Sequence, residues 1–350
     1  MKNMLVTGGC GFIGTNFVRY LLKDSDFKGR IINADKLTYA GNPENLTDIE
    51  KNFPERYIFE KIDICDRENM ARIFDEHEID TICHFAAESH VDRSIVDPDA
   101  FIRTNIVGTF GLLELAKANQ DRLEVFHHIS TDEVFGSLGK EGFFTEQTSY
   151  KPNSPYSASK AASDHLVRAY YKTYGLPVTI SNCSNNYGPY QFPEKLLPLI
   201  ILNGLEGKSL PIYGDGRNVR DWLYVRDHCT AIWEIMKHGK KGETYNIGGN
   251  HEMENIGLVE MICDILDGIQ KSEDKESRRE LIAFVKDRPG HDRRYAIDST
   301  KLNRELGWAP KESLETGIRK TIQWYIDNRQ WVNRVRSGEY QSWIAEQYGE

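Results

Sequence analysis

The sequence has no block of Lys or Arg, no basic tail, no internal repeat and no apolar run long enough to span a bilayer. With a formal net charge of −9, neither a nucleic acid nor a membrane surface is expected as a partner. An anionic ligand must therefore be held by individually placed cations. Cysteine is sparse: Cys10, Cys65, Cys83, Cys183, Cys229 and Cys263 form no C-x-x-C pair and have no histidine at metal-ligand spacing. Reduced, packed thiols and no metal site are the expectation. No apolar leader precedes the first strand-like residues, and the expected location is cytoplasmic.

What is present reads as a globular enzyme. The 350 residues, 39% apolar and 28% charged, can bury a large core. Short β-branched runs near 4–7, 30–35, 57–62, 80–85, 125–130 and 178–181 alternate with longer amphipathic stretches. That pattern predicts an α/β protein with a Rossmann-type doubly wound parallel sheet. After about residue 186, prolines punctuate shorter elements. A cofactor domain over 1–186 and a smaller substrate domain over 187–350 are expected, with a segment near 220–250 returning to the main sheet. The charged stretch 271–280 is expected to be a solvated loop or helix face.

Val6-Thr7-Gly8-Gly9-Cys10-Gly11-Phe12-Ile13-Gly14 places glycines three apart between a strand and a helix. Gly8 suits the tight turn, Gly11 a close approach to a pyrophosphate, and Gly14 close helix-on-strand packing. Asp35, at the end of the second strand, is placed to accept from adenosine ribose hydroxyls, which favours NAD over NADP. Its neighbour Lys36 bears on how strictly a 2′-phosphate is excluded; Leu37 and Thr38 continue that loop. Asp63-Ile64, after the third strand, fits either an adenine cap or an ordinary turn.

Tyr156 and Lys160 share one face of a helix that opens with Ser154-Pro155. A nearby ammonium favours the ionised phenol, making Tyr156 a candidate base toward a sugar hydroxyl and Lys160 a candidate holder of the nicotinamide ribose. Thr131-Asp132-Glu133 adds what alcohol oxidation alone does not need, an acid and a base. Oxidation followed by elimination is the chemistry these motifs suggest together. Repulsion between neighbouring carboxyls separates their pKa values. Adjacent residues on a strand point to opposite faces, however, so Asp132 and Glu133 must lie where the strand ends.

These motifs, together with Ala86-Ala87-Glu88-Ser89-His90-Val91-Asp92-Arg93-Ser94, Ser184-Asn185-Asn186-Tyr187-Gly188-Pro189 and Arg288-Pro289-Gly290-His291-Asp292, resemble the nucleotide-sugar branch of the extended short-chain dehydrogenase/reductase superfamily, specifically its 4,6-dehydratases. The resemblance runs to about Trp343. It implies NAD and dTDP-glucose as ligands, Tyr156 as base at C4, Glu133 at C5, Asp132 as acid at the C6 oxygen, and Thr131 bound to the C4 oxygen. It also implies Phe85, Ala86, Ala87, Ser89, Thr104 and Asn186 along the cofactor. Ser89, Asn185, Lys195, Leu196, Pro211, Tyr213, Arg220, Asn255, Arg288 and His291 fall on substrate positions, the arginines suiting a diphosphate.

The resemblance further implies a homodimer in which the helices expected over 99–118 and 155–174 pair between subunits. Related dehydratases of UDP, CDP or GDP sugars share the proton chemistry. A nucleotide-sugar 4-epimerase would need no Asp132-Glu133 pair, and a non-catalytic NAD sensor would not need both Tyr156 and Lys160.

Overall fold

The computed structural model describes residues 1–270 and 276–337. In chain order the strands are β1 (Asn3–Thr7), β2 (Arg30–Asp35), β3 (Tyr57–Lys61), β4 (Thr81–His84), β5 (Val125–Thr131) and β6 (Val178–Cys183), followed by β7 (Asn185–Tyr187), β8 (Leu210–Tyr213), β9 (Val219–Tyr224), β10 (Thr244–Ile247), β11 (Glu252–Glu254) and β12 (Ile282–Val285). Seven of them form one parallel sheet in the order β10-β6-β5-β4-β1-β2-β3. The order reverses between β1 and β4, which opens a crevice beyond the carboxyl ends of the strands. β4 and β5 are buried throughout, as strands covered on both faces must be.

One face of the sheet is packed by Phe17, Val18 and Leu21 of the helix Phe12–Lys23 with Ile232, Trp233 and Met236 of the helix Val225–His238. The other is packed by Met70, Ile73, Leu112, Leu113 and Val167. β10 pairs in parallel with β6, Tyr245 opposite Ser181. A separate apolar cluster, including Leu197, Ile200, Trp222, Leu258, Ile262 and Ile318, lies beside a three-stranded sheet, β11-β9-β7, and the pair β12-β8.

The helix Pro155–Tyr174 has the limits the sequence predicts because its ends are locally encoded. Ser154 and Ser157 form a capping box around Pro155, and Gly175 ends the helix at φ 72°. The 99–118 helix is continuous but not uniform. Asp99–Phe101 and Thr109–Ala118 are α-helical, and Ile102–Gly108 between them is a π-helix.

Of the charged stretch 271–280, residues 271–275 lie outside the described residues, as does Trp343. The expectation of a solvated face fails at Arg278, which is buried with its guanidinium on Asp267 Oδ1 at 2.6 Å and on the Gly204 carbonyl at 2.8 Å. Five cysteines are buried and Cys65 is half-buried. Among the described residues no helix is long and apolar enough to cross a membrane.

Candidate active site

The crevice is lined on one side by Gly8, Gly11, Phe12, Ile13, Gly14, Asp35, Lys36, Thr38, Asp63 and Ile64, and on the other by Thr131, Asp132, Glu133, Tyr156, Lys160, Asn185 and Asn186. Phe85, Ala86, Ala87, Ser89, Thr104 and Lys195 complete the set of expected residues found there. The glycine turn is built for close approach. A Cβ on Gly8, at φ +72°, would meet Ala86 N at 2.7 Å, and one on Gly14 would meet Gly8 O at 2.3 Å. Gly11 caps the following helix without a side chain, and no acidic residue occupies the first turn, so its free N–H groups and positive end face the crevice. A dinucleotide pyrophosphate fits this cradle.

Asp35 is fixed by two backbone donors, Cys10 N–H to Oδ2 at 2.9 Å and Leu37 N–H to Oδ1 at 2.8 Å. Burial raises its carboxyl while those donors oppose. Lys36 pairs with Asp63 at 2.7 Å, so the cation beside Asp35 is already matched by the second expected acidic group. Leu37 departs from expectation. It adopts φ 59°, packs on the sheet core and lies outside the crevice lining, serving Asp35 through its N–H instead.

β5 ends at Thr131 and the chain turns directly into a 3-10 turn, Asp132–Phe135. This removes the opposite-face problem for the carboxyl pair. Thr131 Oγ1 accepts from Glu133 N–H at 3.3 Å and donates to Asp132 Oδ1 at 3.3 Å. Gly136 closes the turn at φ 84°, where a Cβ would meet the Lys151 carbonyl at 2.4 Å. Burial drives the Asp132 carboxyl well above the carboxylate range, and Glu133 and Asp221 push the same way. Glu133 is also raised by burial, but Arg288, Arg220 and Lys195 oppose it. The two neighbours are thus separated into a firmly held acid and a carboxyl that three cations help to ionise.

Lys160 directs its ammonium to the Ile129 carbonyl at 2.7 Å, and burial lowers it to about 8. Burial raises the Tyr156 phenol well above its ordinary value, and a hydrogen bond with the Thr131 hydroxyl acts in the opposite direction. The lowering expected from Lys160 is not found: burial, with Glu133 adding to it, holds the phenol up.

The remaining expected substrate residues, Leu196, Pro211, Tyr213, Arg220, Asn255, Arg288 and His291, lie outside the crevice lining. Arg220 is buried, donates to the Val219 and Asp292 carbonyls at 2.8 and 2.9 Å, and lies over the Tyr295 ring. Arg288 Nη1 is 3.6 Å from Asp92. His291 bonds Asp287 at 2.6 Å and packs edge-on to Tyr213, in the same strand as Pro211. Leu196 and Asn255 each begin a helix. Asn186 is engaged within the chain, with His228 Nδ1 at 2.9 Å and the Ser184 carbonyl at 3.0 Å.

Sequence reasoning missed Asp164 and Asn105. Fully buried Asp164 accepts from Ser130 Oγ at 2.8 Å and Tyr150 OH at 2.7 Å and faces His128 Nε2 at 3.2 Å. Asn105, in the π-helix, accepts from Glu88 N–H at 2.9 Å and donates to Ser159 Oγ at 2.8 Å, joining the 86–89 loop to the Tyr156 helix. Asp164 lies four residues after Lys160, a spacing visible in the sequence; Asn105 shows its role only once the helix is packed.

A family model described as GDP-mannose 4,6 dehydratase matches residues 5–321. A dTDP-glucose 4,6-dehydratase of Escherichia coli is 57% identical over 99% of this chain and 98% of its own length. A Bacillus anthracis dTDP-glucose 4,6-dehydratase solved in complex with NAD superposes with TM-score 0.86 at 47% identity, covering 96% of this chain and 100% of that one. One from Streptomyces venezuelae, with NAD and TYD bound, gives 0.87 at 44%, covering 95% and 99%. The likeness thus extends over nearly the whole chain in both sequence and structure, and the chain belongs to the GDP-mannose 4,6 dehydratase family.

Proposed function

We propose that this chain is an NAD-dependent hydro-lyase that converts dTDP-glucose to dTDP-4-keto-6-deoxyglucose, with residues 1–186 holding the cofactor and 187–350 forming the nucleotide side. The observation that carries the reading is the carboxyl pair: Asp132 and Glu133 are adjacent in the turn that ends β5 and both are raised by burial, which Glu133 and Asp221 reinforce at Asp132 and which Arg288, Arg220 and Lys195 oppose at Glu133. NAD, when bound, supplies a positively charged nicotinamide that takes the C4 hydride and gives it back at C6. Gly8, Gly11 and Gly14 make room for its pyrophosphate, Asp35 receives its adenosine ribose, and Lys160 holds the nicotinamide ribose.

Tyr156 removes the C4 hydroxyl proton, with Thr131 orienting that oxygen. The resulting ketone acidifies the C5 hydrogen, which Glu133 removes, and Asp132 protonates the C6 oxygen as it leaves as water. Lys195, Arg220 and Arg288 serve the diphosphate. Asn185, Leu196, Pro211, Tyr213, Asn255 and His291 serve the nucleotide and sugar. Two copies associate through the helices at 99–118 and 155–174.

The test incubates the purified protein with dTDP-glucose or UDP-glucose, without added reductant, and follows product mass. Loss of one water from dTDP-glucose without accumulation of NADH is expected. Unchanged mass with inverted C4 stereochemistry would make the chain an epimerase, and a preference for UDP-glucose would move the base assignment.

A further inference from the structure

The helix Arg329–Val335 lies beyond residue 321, where the family match ends, yet two hydrogen bonds join it to the glycine turn. Trp331, which is buried, donates its indole N–H to Asn45 Oδ1 at 2.7 Å. Asn45, also buried, donates from Nδ2 to the Cys10 carbonyl at 3.2 Å and to Thr15 Oγ1 at 3.4 Å. Cys10 stands between Gly9 and Gly11, and Thr15 lies near the start of the helix whose positive end faces the crevice. The Thr15 hydroxyl donates in turn to the Gly9 carbonyl at 3.1 Å. One side-chain amide thus ties the glycine turn to the helix that follows it.

Trp331 also sets which way that amide points. An indole N–H donates only, so it must meet Oδ1, and this turns both N–H bonds of the amide toward Cys10 and Thr15. The Cys10 carbonyl accepts from Asn42 N–H as well, at 3.0 Å, while Cys10 N–H donates to Asp35 Oδ2 at 2.9 Å. Because the peptide from Cys10 to Gly11 is planar, a carbonyl held in place also holds Gly11, from which the helix begins. The neighbouring helix Leu314–Asp327 grips the side of the crevice lined by Asn185 and Asn186. Tyr325 donates its hydroxyl to the carbonyl of Gln191, a lining residue, at 2.6 Å, and Gln191 Nε2 donates to the Asn186 carbonyl at 2.9 Å. The Trp324 ring, 5.0 Å from Trp331 and 5.1 Å from Tyr325, joins the two contacts.

Resting on the reading that NAD lies in the glycine cradle, we propose that Trp331 is a positioning residue for the cofactor: through Asn45 it holds the glycine turn in shape and so tightens the grip on NAD. Neither Trp331 nor Asn45 lines the crevice, so a residue from the nucleotide side acts on the cofactor side without touching the dinucleotide. The coupling is reciprocal, and bound NAD must in turn stabilise the docked helix.

The test compares NAD-loaded wild type, Trp331→Phe, Asn45→Ala and the double variant. Each is diluted into excess NAD-free alcohol dehydrogenase and ethanol, and release is read as newly reduced cofactor. Phenylalanine keeps an aromatic ring beside Trp324 and Tyr190 and removes only the N–H. Arg334→Ala, which breaks the exposed ion pair of the same helix with Glu44 at 2.6 Å, controls for general loosening. Trp331→Phe is expected to release NAD about 5- to 10-fold faster than wild type, the effect of one hydrogen bond, Asn45→Ala at least as fast, and Arg334→Ala at the wild-type rate. Adding Trp331→Phe to Asn45→Ala should bring no further acceleration, because the two act in one chain. Release from Trp331→Phe at the wild-type rate overturns the proposal, as does equal acceleration in Arg334→Ala or full additivity in the double variant, either of which would make the helix a general support. Hydrogen exchange of the Trp331 indole in wild type, with NAD bound and after its removal, tests the coupling without a substitution: faster exchange in the NAD-free protein is expected, and equal exchange contradicts it. Wild type that takes up no NAD would overturn the cofactor reading itself, and the proposal with it.

Discussion

Ser130 Oγ donates to Asp164 Oδ2 at 2.8 Å, and this bond ties the end of β5 to the helix carrying Tyr156 and Lys160. Asn182 reinforces the tie, donating from Nδ2 to the Thr131 carbonyl at 3.0 Å and standing 3.4 Å from the same Asp164 oxygen. The acid/base turn and the Tyr156-Lys160 face are registered against each other by this buried carboxylate, which His128, Lys160 and Tyr150 help to keep ionised, together with the Lys160 ammonium on the Ile129 carbonyl and the packing of Val134 and Phe135 on Ala161.

Asp164→Asn should for that reason disturb catalysis at a distance. The amide retains some hydrogen bonds but removes the charge facing His128 and Lys160. A stability loss of about 1–3 kcal/mol is expected, together with a fall in kcat larger than any change in KM. Urea unfolding and steady-state kinetics measure both, and a variant with unchanged kcat would show that the registration is not needed.

How far the chain was legible follows from which features are local. The 155–174 helix could be delimited because Ser154, Pro155 and Gly175 act within a turn of themselves, and the glycine turn because three residues and a strand suffice. The turn after Thr131 was inferable from the chemistry, since both carboxyls had to face one cleft. Arg278, by contrast, reads as a surface charge until Asp267 and the Gly204 carbonyl are brought to it. The direction of the Lys160 ammonium and the π-helical run around Asn105 likewise arise from packing between distant segments. The strand histidines His84, His127 and His128 gave no warning of how deeply they are buried.

Glu133→Gln removes the base but leaves Tyr156, Lys160 and the glycine cradle in place. Reduction of bound cofactor by dTDP-glucose should persist, while dehydrated product forms about 10²- to 10⁴-fold more slowly. Absorbance of the reduced cofactor and product mass separate the two half-reactions. Normal turnover in this variant would sink the assignment of Glu133.

Gly14 and Gly307 offer a matched test of the cofactor cradle. An alanine Cβ at position 14 would lie 2.3 Å from the Gly8 carbonyl oxygen, whereas at Gly307, with φ +68°, nothing lies within 4 Å. Gly307→Ala should cost about 1–2 kcal/mol, the strain of a left-handed residue, and leave NAD content intact. Gly14→Ala should lose bound NAD, because the turn must shift to relieve a backbone clash. Equal NAD content in the two variants would contradict the cradle.

Acid should weaken the fold through its buried histidines, although the carboxyls of Asp132, Asp35 and Glu133, raised by burial, act in the opposite direction. Burial pushes His128 down to about 4 and His228 to about 3. Unfolded, each histidine takes up its proton near the ordinary 6.5. Below that pH the unfolded chain binds protons that the folded chain refuses, so stability falls as pH drops from 6.5 toward 4, by about 1.4 kcal/mol per unit for each histidine. Asp164, held below the carboxylate range, contributes stability that is lost only at still lower pH. Urea midpoints at pH 7 and pH 5 should therefore differ clearly, the lower pH giving the lower midpoint.

Ile95, Val96, Ile102 and Val107 are exposed by 40%, 86%, 46% and 43%; the first two precede the long 99–118 helix and the last two lie in its first half. Exposed apolar residues clustered in this way mark an interaction surface, and a two-fold interface places the same patch on both copies. The more inward residues Phe101, Leu113, Val167 and Tyr170 are buried within the chain, so they support these helices without themselves being available to a partner. Val96→Glu combined with Ile102→Glu puts two charges into the patch without touching the crevice lining. With the proposed pairing of two copies through this patch, sedimentation should change from dimer to monomer while bound NAD is retained, since the glycine cradle and Asp35 lie within one chain. A double variant that still sediments as a dimer would place the interface elsewhere, and loss of NAD with the dimer would show that the cofactor side depends on the second copy.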